Sequence, residues 1–364
     1  MNDKVIRVLV IDDSAYNRRA ISDFLSEHER IQVVGKASDG QEGLQMVMTE
    51  KPDVITLDLE MPRMDGFAFL RLLKSSHPTP VIVISSHSEK DNVFRALELG
   101  ALDFVAKPTH RISPEINDIG PEVIRKVLLA GRLSPDSLHR LQSYAPAETP
   151  ASGGFPVVSQ EENAFVPGKE PAAEKVVVMA ASTGGPATLT RILTVLPADL
   201  PVAIVVAQHM PPRFTTTFSE RLDRQCAMRV TELSVADITR KGTIYLSPGD
   251  RNLEFTPGLS GVMLTSVRPS AEDKYIPSAD HLFNTAAKTF KENAMAIVLT
   301  GMGDDGSKGA LSVVSGGGMV VVESPQTAVV DGMPSSVLRA GIPAQEMDTE
   351  DIARVILKFA GLLD

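Results

Sequence analysis

The chain has 364 residues, 43% of them hydrophobic, and a formal net charge of −10, which is longer than one core usually organises and apolar enough to build two. Neither half is basic, which argues against a nucleic-acid binder, and the single cysteine, Cys226, excludes an internal disulfide or a multi-cysteine zinc site and fits a reducing compartment. With no apolar run of membrane-spanning length and no secretory pattern at the amino terminus, a cytoplasmic protein without membrane insertion is expected.

From residue 5 to about 132, short apolar runs at 5–11, 31–37, 54–57, 81–84 and 104–105 alternate with helical patterns. Five such units predict a parallel, doubly wound sheet. Asp12 and Asp13 end the first strand, Asp58 the third, Ser85 the fourth and Lys107 the fifth. All five converge on the carboxyl edge, where open α/β sheets place their sites. Any one of them is ordinary turn chemistry; together, in this order, they are a specific signal. Clustered carboxylates repel unless a cation sits among them, and hard oxygen donors suit Mg²⁺. Asp58 can then attack a phosphoryl group, with Lys107 and the Ser85 hydroxyl holding its oxygens.

Residues 133–173 lose periodicity and collect Pro, Ala, Ser, Gly and Glu, the composition of a linker. A second alternation starts at 174, with strands expected at 176–179, 202–207, 243–246, 295–300 and 319–322 and helices at 186–196, 213–224, 279–292 and 307–314. Short strands crowded between 243 and 267 predict an antiparallel portion in a mainly parallel α/β domain.

Three punctuated segments follow strands in this half. Ala180-Ala181-Ser182-Thr183-Gly184-Gly185 sits on a strand-to-helix turn, which lifts a side chain above the sheet edge and leaves helix-start N–H groups to hold an oxyanion. Gln208-His209-Met210-Pro211-Pro212 follows the strand expected at 202–207, and Gly301-Met302-Gly303-Asp304-Asp305-Gly306 the one expected at 295–300. A serine hydroxyl needs a general base, and a histidine base needs an acceptor that fixes its tautomer. Ser182, His209 and either Asp304 or Asp305 supply those roles. Taken singly, the glycine turn could cap a helix or cradle a phosphate, and the other two segments could be ordinary strand-end and turn residues. The turn lacks the Gly-Lys-Ser/Thr ending of a P-loop and a full dinucleotide fingerprint.

About the first 120 residues resemble a response-regulator receiver, a five-stranded parallel flavodoxin-like domain. Met61-Pro62-Arg63-Met64-Asp65-Gly66 and Phe104 add to the likeness. The resemblance implies that Asp58 is the phosphoacceptor, that Asp12, Asp13 and Asp58 hold Mg²⁺, and that Ser85, Phe104 and Lys107 form the switch. Residues 174–364 resemble the catalytic domain of the chemotaxis protein-glutamate methylesterase (CheB) family through Ser-Thr-Gly-Gly, Gln-His-Met-Pro and Gly-Met-Gly-x-Asp-Gly. That likeness implies a triad of Ser182, His209 and Asp305. It makes the N–H of Met302 an oxyanion donor, joined on helix-start grounds by that of Thr183. Ala180 and Asp304 depart from the glycine and asparagine more usual at their positions.

The resemblance implies a receiver over 1–132, a linker over 133–173 and a methylesterase domain over 174–364. The expected activity is phosphorylation-activated hydrolysis of glutamate γ-methyl esters, and deamidation of glutamines, on the cytoplasmic helices of chemoreceptors. A chemotaxis histidine kinase would be the phosphodonor, Mg²⁺ the receiver's cofactor, and the esterase would need none. The alternatives are a response regulator whose second domain only binds a partner, and a hydrolase of some other ester.

Overall fold

In both halves of the chain the apolar runs become parallel strands and the amphipathic stretches become the helices that cover them. The computed structural model describes residues 4–76, 78–85, 90–107, 114–133 and 171–363. Most of the expected linker, 134–170, lies outside the described residues. The chain divides into two compact units, Met1–Pro146 and Ala147–Asp364.

The first unit builds β1 (Ile6–Ile11), α1 (Ala15–Ser26), β2 (Ile31–Ala37), α2 (Gly40–Glu50), β3 (Val54–Leu57), α3 (Gly66–Ser76), β4 (Val81–Ser85), α4 (Lys90–Glu98), β5 (Asp103–Ala106) and α5 (Gly120–Ala130). Its sheet runs β2-β1-β3-β4-β5, all parallel. β3 and β4 are buried throughout, as expected when helices cover both faces. The Ser14 side chain accepts from the Asn17 N–H and that of Asp39 from Gln41 and Glu42. These caps start α1 and α2 immediately beyond the strand ends. The chain leaves β1 for β2 on one side and returns to β3 on the other. This reversal, with Ile11 registered on Leu57, sets Asp12 beside Asp58.

The second unit contains β6 (Val176–Ala181), α6 (Gly185–Leu193), β7 (Ala203–Gln208), α7 (Phe214–Gln225), β8 (Arg229–Glu232), β9 (Ala236–Ile238), β10 (Thr243–Leu246), β11 (Asn252–Gly258) and β12 (Gly261–Val267). It continues through α8 (Ala279–Phe290), β13 (Ala294–Val298), α9 (Ser307–Ser315), β14 (Met319–Glu323), α10 (Gly332–Arg339), β15 (Gln345–Met347) and α11 (Thr349–Ala360). Seven strands form one sheet in the order β15-β14-β13-β6-β7-β10-β8, and β11-β12-β9 form a small antiparallel sheet. The expected antiparallel portion is present, built from β11 and β12 within 243–267 together with β9 from before it. Residues 243–246 pair in parallel with β7 and β8, while β9 joins the antiparallel group by pairing with β12.

β6 and β7 are buried at every position. Val176, Val178 and Ala180 pack with Ala203, Val205 and Ala207 and with Phe283, Ala286 and Phe290 of α8 in one core. Burying a valine contributes about 1.5–3 kcal/mol relative to leaving it in water, so the strand ends above are a firm platform. β6 lies between β7 and β13, with Ala181 opposite Gln208 and Ala180 opposite Val298. Here too the strand order reverses, and the three segments singled out in the sequence leave the sheet side by side.

Candidate active site

In the second unit Ser182 follows β6 directly and is only 8% exposed. Its N–H donates to the Thr300 carbonyl at 3.0 Å, and its carbonyl accepts from the Gly185 N–H at 2.8 Å and from Gln208 Nε2 at 3.0 Å. These bonds close the turn onto both neighbouring strand ends. Gly301 has to be small because a β-carbon there would stand 2.8 Å from Ser182 Cβ and strike the Met333 sulfur.

His209 extends the β7 ladder by one bond, its N–H donating to the Ala181 carbonyl at 2.9 Å. Its Nε2 lies 2.8 Å from Oδ2 of Asp305. Asp305 is 2% exposed and also accepts N–H bonds from Ala279 at 2.8 Å, Asp280 at 2.9 Å and Gly306 at 3.1 Å. The first two of these donors open α8, whose dipole favours a negative charge at that end. Burial works against the ionised form, but the His209 hydrogen bond, its charge and these N–H groups outweigh it and hold the carboxyl below its ordinary range. An ionised carboxylate only accepts, so Nε2 carries a proton; whenever the ring is neutral, the lone pair is on Nδ1.

Asp304, next in the chain, turns away. Exposed to solvent, it accepts from Lys274 Nζ at 2.7 Å and from the Tyr275 hydroxyl at 2.9 Å. These two bonds, Lys274 first, hold its carboxyl below the usual range. Of the two candidate aspartates, Asp305 is the one the fold brings to His209.

Thr183 is buried and Met302 half-buried, at the ends of β6 and β13 respectively. The backbone around Met302 is tied down, with Gly301 N–H donating to Val330 O at 2.8 Å and Met333 N–H to Gly301 O at 2.9 Å. Thr300 links the two segments. Its hydroxyl donates to the Thr183 carbonyl at 3.0 Å and accepts from the Val330 N–H at 3.0 Å, and its own N–H donates to Glu323 Oε2 at 2.7 Å. Glu323 ends β14 fully buried, and that burial pushes its carboxyl up to about 7.

Thr300, Glu323 and Tyr275 escape sequence reasoning. Thr300 and Glu323 sit at the ends of apolar strands and Tyr275 in a loop, and none belongs to a motif. The only usable signal is a polar residue closing a buried parallel strand. Cys226, by contrast, carries no chemistry: burial, with the Asp223 charge, pushes its thiol up to about 12, far from the reactive thiolate range. His281 Nε2 pairs with Glu254 at 3.2 Å.

In the first unit the five residues at the sheet edge meet. Lys107 Nζ lies 2.6 Å from Asp58 Oδ2 and 3.0 Å from Asp12 Oδ2. The other Asp58 oxygen accepts the Leu59 N–H at 2.8 Å, and Asp12 Oδ1 that of Ser14 at 2.9 Å. Burial lifts the Asp12 carboxyl above its usual range despite the lysine. Burial also works against the Lys107 ammonium, yet the Asp58 and Asp12 charges outweigh it and hold it above its ordinary value. Asp12, Asp13 and Asp58 each offer an oxygen within 4.8 Å of the others, with Asp13 exposed. This anionic, all-oxygen donor set fits a small hard cation such as Mg²⁺. Ser85 is fully buried, and its carbonyl accepts the Lys107 N–H at 2.7 Å. Phe104 is buried, with Lys126 Nζ 2.5 Å from its carbonyl and 5.4 Å from its ring.

Two family models match the chain: CheB methylesterase over residues 177–356 and response regulator receiver domain over 8–113. The protein-glutamate methylesterase/protein-glutamine glutaminase 3 of Geobacter sulfurreducens is 44% identical, covering 98% of this chain and 98% of its own length. The corresponding protein of Bacillus subtilis is 35% identical, covering 97% and 98%. Among solved structures, the CheB methylesterase catalytic domain of Thermotoga maritima matches 50% of this chain and 97% of its own at 36% identity, with a TM-score of 0.49.

Proposed function

Because the chain belongs to the CheB methylesterase family and carries a response-regulator receiver, we propose that Ser182, His209 and Asp305 hydrolyse glutamate γ-methyl esters on chemoreceptor cytoplasmic helices. The observation that carries this reading is the 2.8 Å pairing of His209 Nε2 with a buried, ionised Asp305 at a strand end beside that of Ser182. Neutral His209 takes the Ser182 proton on Nδ1 as Oγ attacks the ester carbonyl carbon. The N–H groups of Met302 and Thr183 hold the oxyanion that forms. Collapse breaks the bond to the methoxy oxygen, which leaves as methanol with the proton from His209. Water, deprotonated by the same nitrogen, then cleaves the acyl-enzyme and frees the glutamate. Amide and ester share this tetrahedral intermediate, so glutamine is deamidated by the same steps with ammonia as the leaving group.

The domains are a receiver over 1–132, a linker over 133–173 and the methylesterase domain over 174–364. In the receiver, Asp58 accepts the phosphoryl group from a chemotaxis histidine kinase, and Asp12, Asp13 and Asp58 would hold Mg²⁺. The ion would neutralise the crowded oxygens of carboxylate and phosphoryl group. Lys107 already spans Asp12 and Asp58 and stays to pair with the phosphoryl oxygens, while Ser85 and Phe104 relay the change. The ester chemistry draws only on side chains and backbone. No helix among the described residues is long and apolar enough to cross a membrane; the site of action would be the cytoplasm, where the receptor helices it acts on lie. Methanol release from methyl-labelled receptor membranes, with wild type beside Ser182→Ala, tests the reading; turnover by the alanine variant at the wild-type rate would remove the serine from the mechanism.

A further inference from the structure

One hydrogen bond fixes a point on an imidazole ring, not its plane. Asp305 holds Nε2 of His209, and rotation about that contact would change where Nδ1 points. A second constraint is present on the face of the ring. Tyr275 stacks on His209 with ring centroids 5.1 Å apart and planes within 6°, inside the range of favourable offset stacking.

Tyr275 is itself held from three directions. Its hydroxyl donates to Asp304 Oδ1 at 2.9 Å, and Lys274 Nζ, 4.8 Å from the centre of its ring, bonds the same oxygen at 2.7 Å. The loop that carries it is fastened on either side. Asn252, buried at the start of β11, donates to Asp273 Oδ2 at 2.9 Å and accepts the Ser278 N–H at 2.8 Å. Beneath the ring, Gly303 adopts φ +106°, and any side chain there would strike the Tyr275 hydroxyl. A backbone that only glycine adopts comfortably thus makes room for the phenol at the same segment that supplies Met302 and Asp305.

We propose that Tyr275 is a positioning residue: its ring, stacked on His209, fixes the plane of the imidazole so that Nδ1 faces Ser182. This rests on the assignment of His209 as the general base. Tyr275 acts on the orientation of the base, so its loss is expected in kcat and not in KM. The worth of a stacked aromatic pair corresponds to a fall of roughly two- to tenfold.

The test uses the full chain, stimulated with Mg²⁺ and a small phosphodonor, on methyl-labelled receptor membranes. Tyr275→Leu is expected to lower kcat by about two- to tenfold with KM little changed. Tyr275→Phe, which keeps the ring, is expected to recover most of the loss. The downfield proton resonance of the His209 N–H bonded to Asp305 should broaden in the leucine variant and persist in Tyr275→Phe and Tyr275→His, which keep a flat ring. A folded Tyr275→Leu with wild-type kcat, or a loss confined to KM, overturns the proposal. So does a phenylalanine variant as impaired as the leucine one, because the hydroxyl and not the ring would then matter. If the leucine variant does not fold, the resonance in the Phe and His variants decides: persistence in both supports the ring, and loss in both refutes it. Ser182→Ala, run in parallel, separates the two levels: near wild-type turnover there would sink the base assignment itself, whatever Tyr275 does.

Discussion

The two sheet edges occupy the same place in their folds and solve opposite electrostatic problems. In the first unit Asp12, Asp13 and Asp58 face one lysine, and a surplus of negative charge remains. In the second, the single charge of Asp305 is met by three backbone N–H groups and His209. An edge left with surplus charge is suited to recruiting a cation and a phosphoryl group. An edge whose charge is already matched is suited to moving a proton, because nothing needs to be recruited for the base to be oriented. The first should respond to ions and phosphodonors, the second to geometry.

The largest effect expected is at the matched edge. Ser182→Ala or His209→Ala should lower methanol release by about 10³- to 10⁶-fold while the protein stays folded; activity near wild type in either would break the contrast. Asp305→Asn should cost about 10³- to 10⁴-fold by presenting the wrong tautomer. Asp304→Asn, which can still accept from Tyr275 and Lys274, should stay within about threefold. The reverse order in the same assay would transfer the acceptor role to Asp304.

At the surplus edge the expected effects are smaller and conditional. Mg²⁺ with a small phosphodonor should stimulate wild type by roughly 5- to 150-fold, the usual range of coupling between sites. Asp58→Asn should give no stimulation, and chelating the metal should remove it from wild type. Stimulation of the asparagine variant to the wild-type level would detach regulation from Asp58.

The smallest effect expected is on stability and sharpens the contrast within the second unit. Asp305, held below its ordinary range, supports the fold above its unfolded pKa, and that support fades as pH falls through the folded value. Glu323, raised from 4.5 to about 7, does the opposite. The folded state binds its proton more tightly, so its favourable contribution is complete below about 4.5 and is lost as pH rises through about 7. Glu323→Gln should therefore gain stability relative to wild type between pH 5 and 8, by about 3 kcal/mol at most. Urea midpoints at the two pH values measure it, and a constant difference would show that Glu323 does not titrate there.

How much of this was legible in the sequence differs between side chains and their supports. Residues that end long apolar strands, Asp12, Asp58, Ser182 and His209, are visible because parallel strands read as continuous hydrophobic runs with a polar stop. β8 and β15 are short and partly or largely exposed, so no period marks them. The antiparallel group draws β9 from outside the expected 243–267 window, because partner choice is a long-range matter that local pattern does not encode. Asp305 could not be told from Asp304 by type or spacing. What separates them is the start of α8 packed on one and the Lys274-Tyr275 loop on the other, two segments some thirty residues upstream.

Cys226 has a practical consequence. With its thiol pushed up to about 12, it holds roughly three thousandfold less thiolate at neutral pH than an ordinary surface cysteine near 8.5. Maleimide reagents should therefore pass it by. The natural chain can accept introduced cysteines, one on each unit, and take a fluorophore pair at those places alone. Spectroscopic rulers between the receiver and the esterase can then be fitted without first mutating the native thiol away.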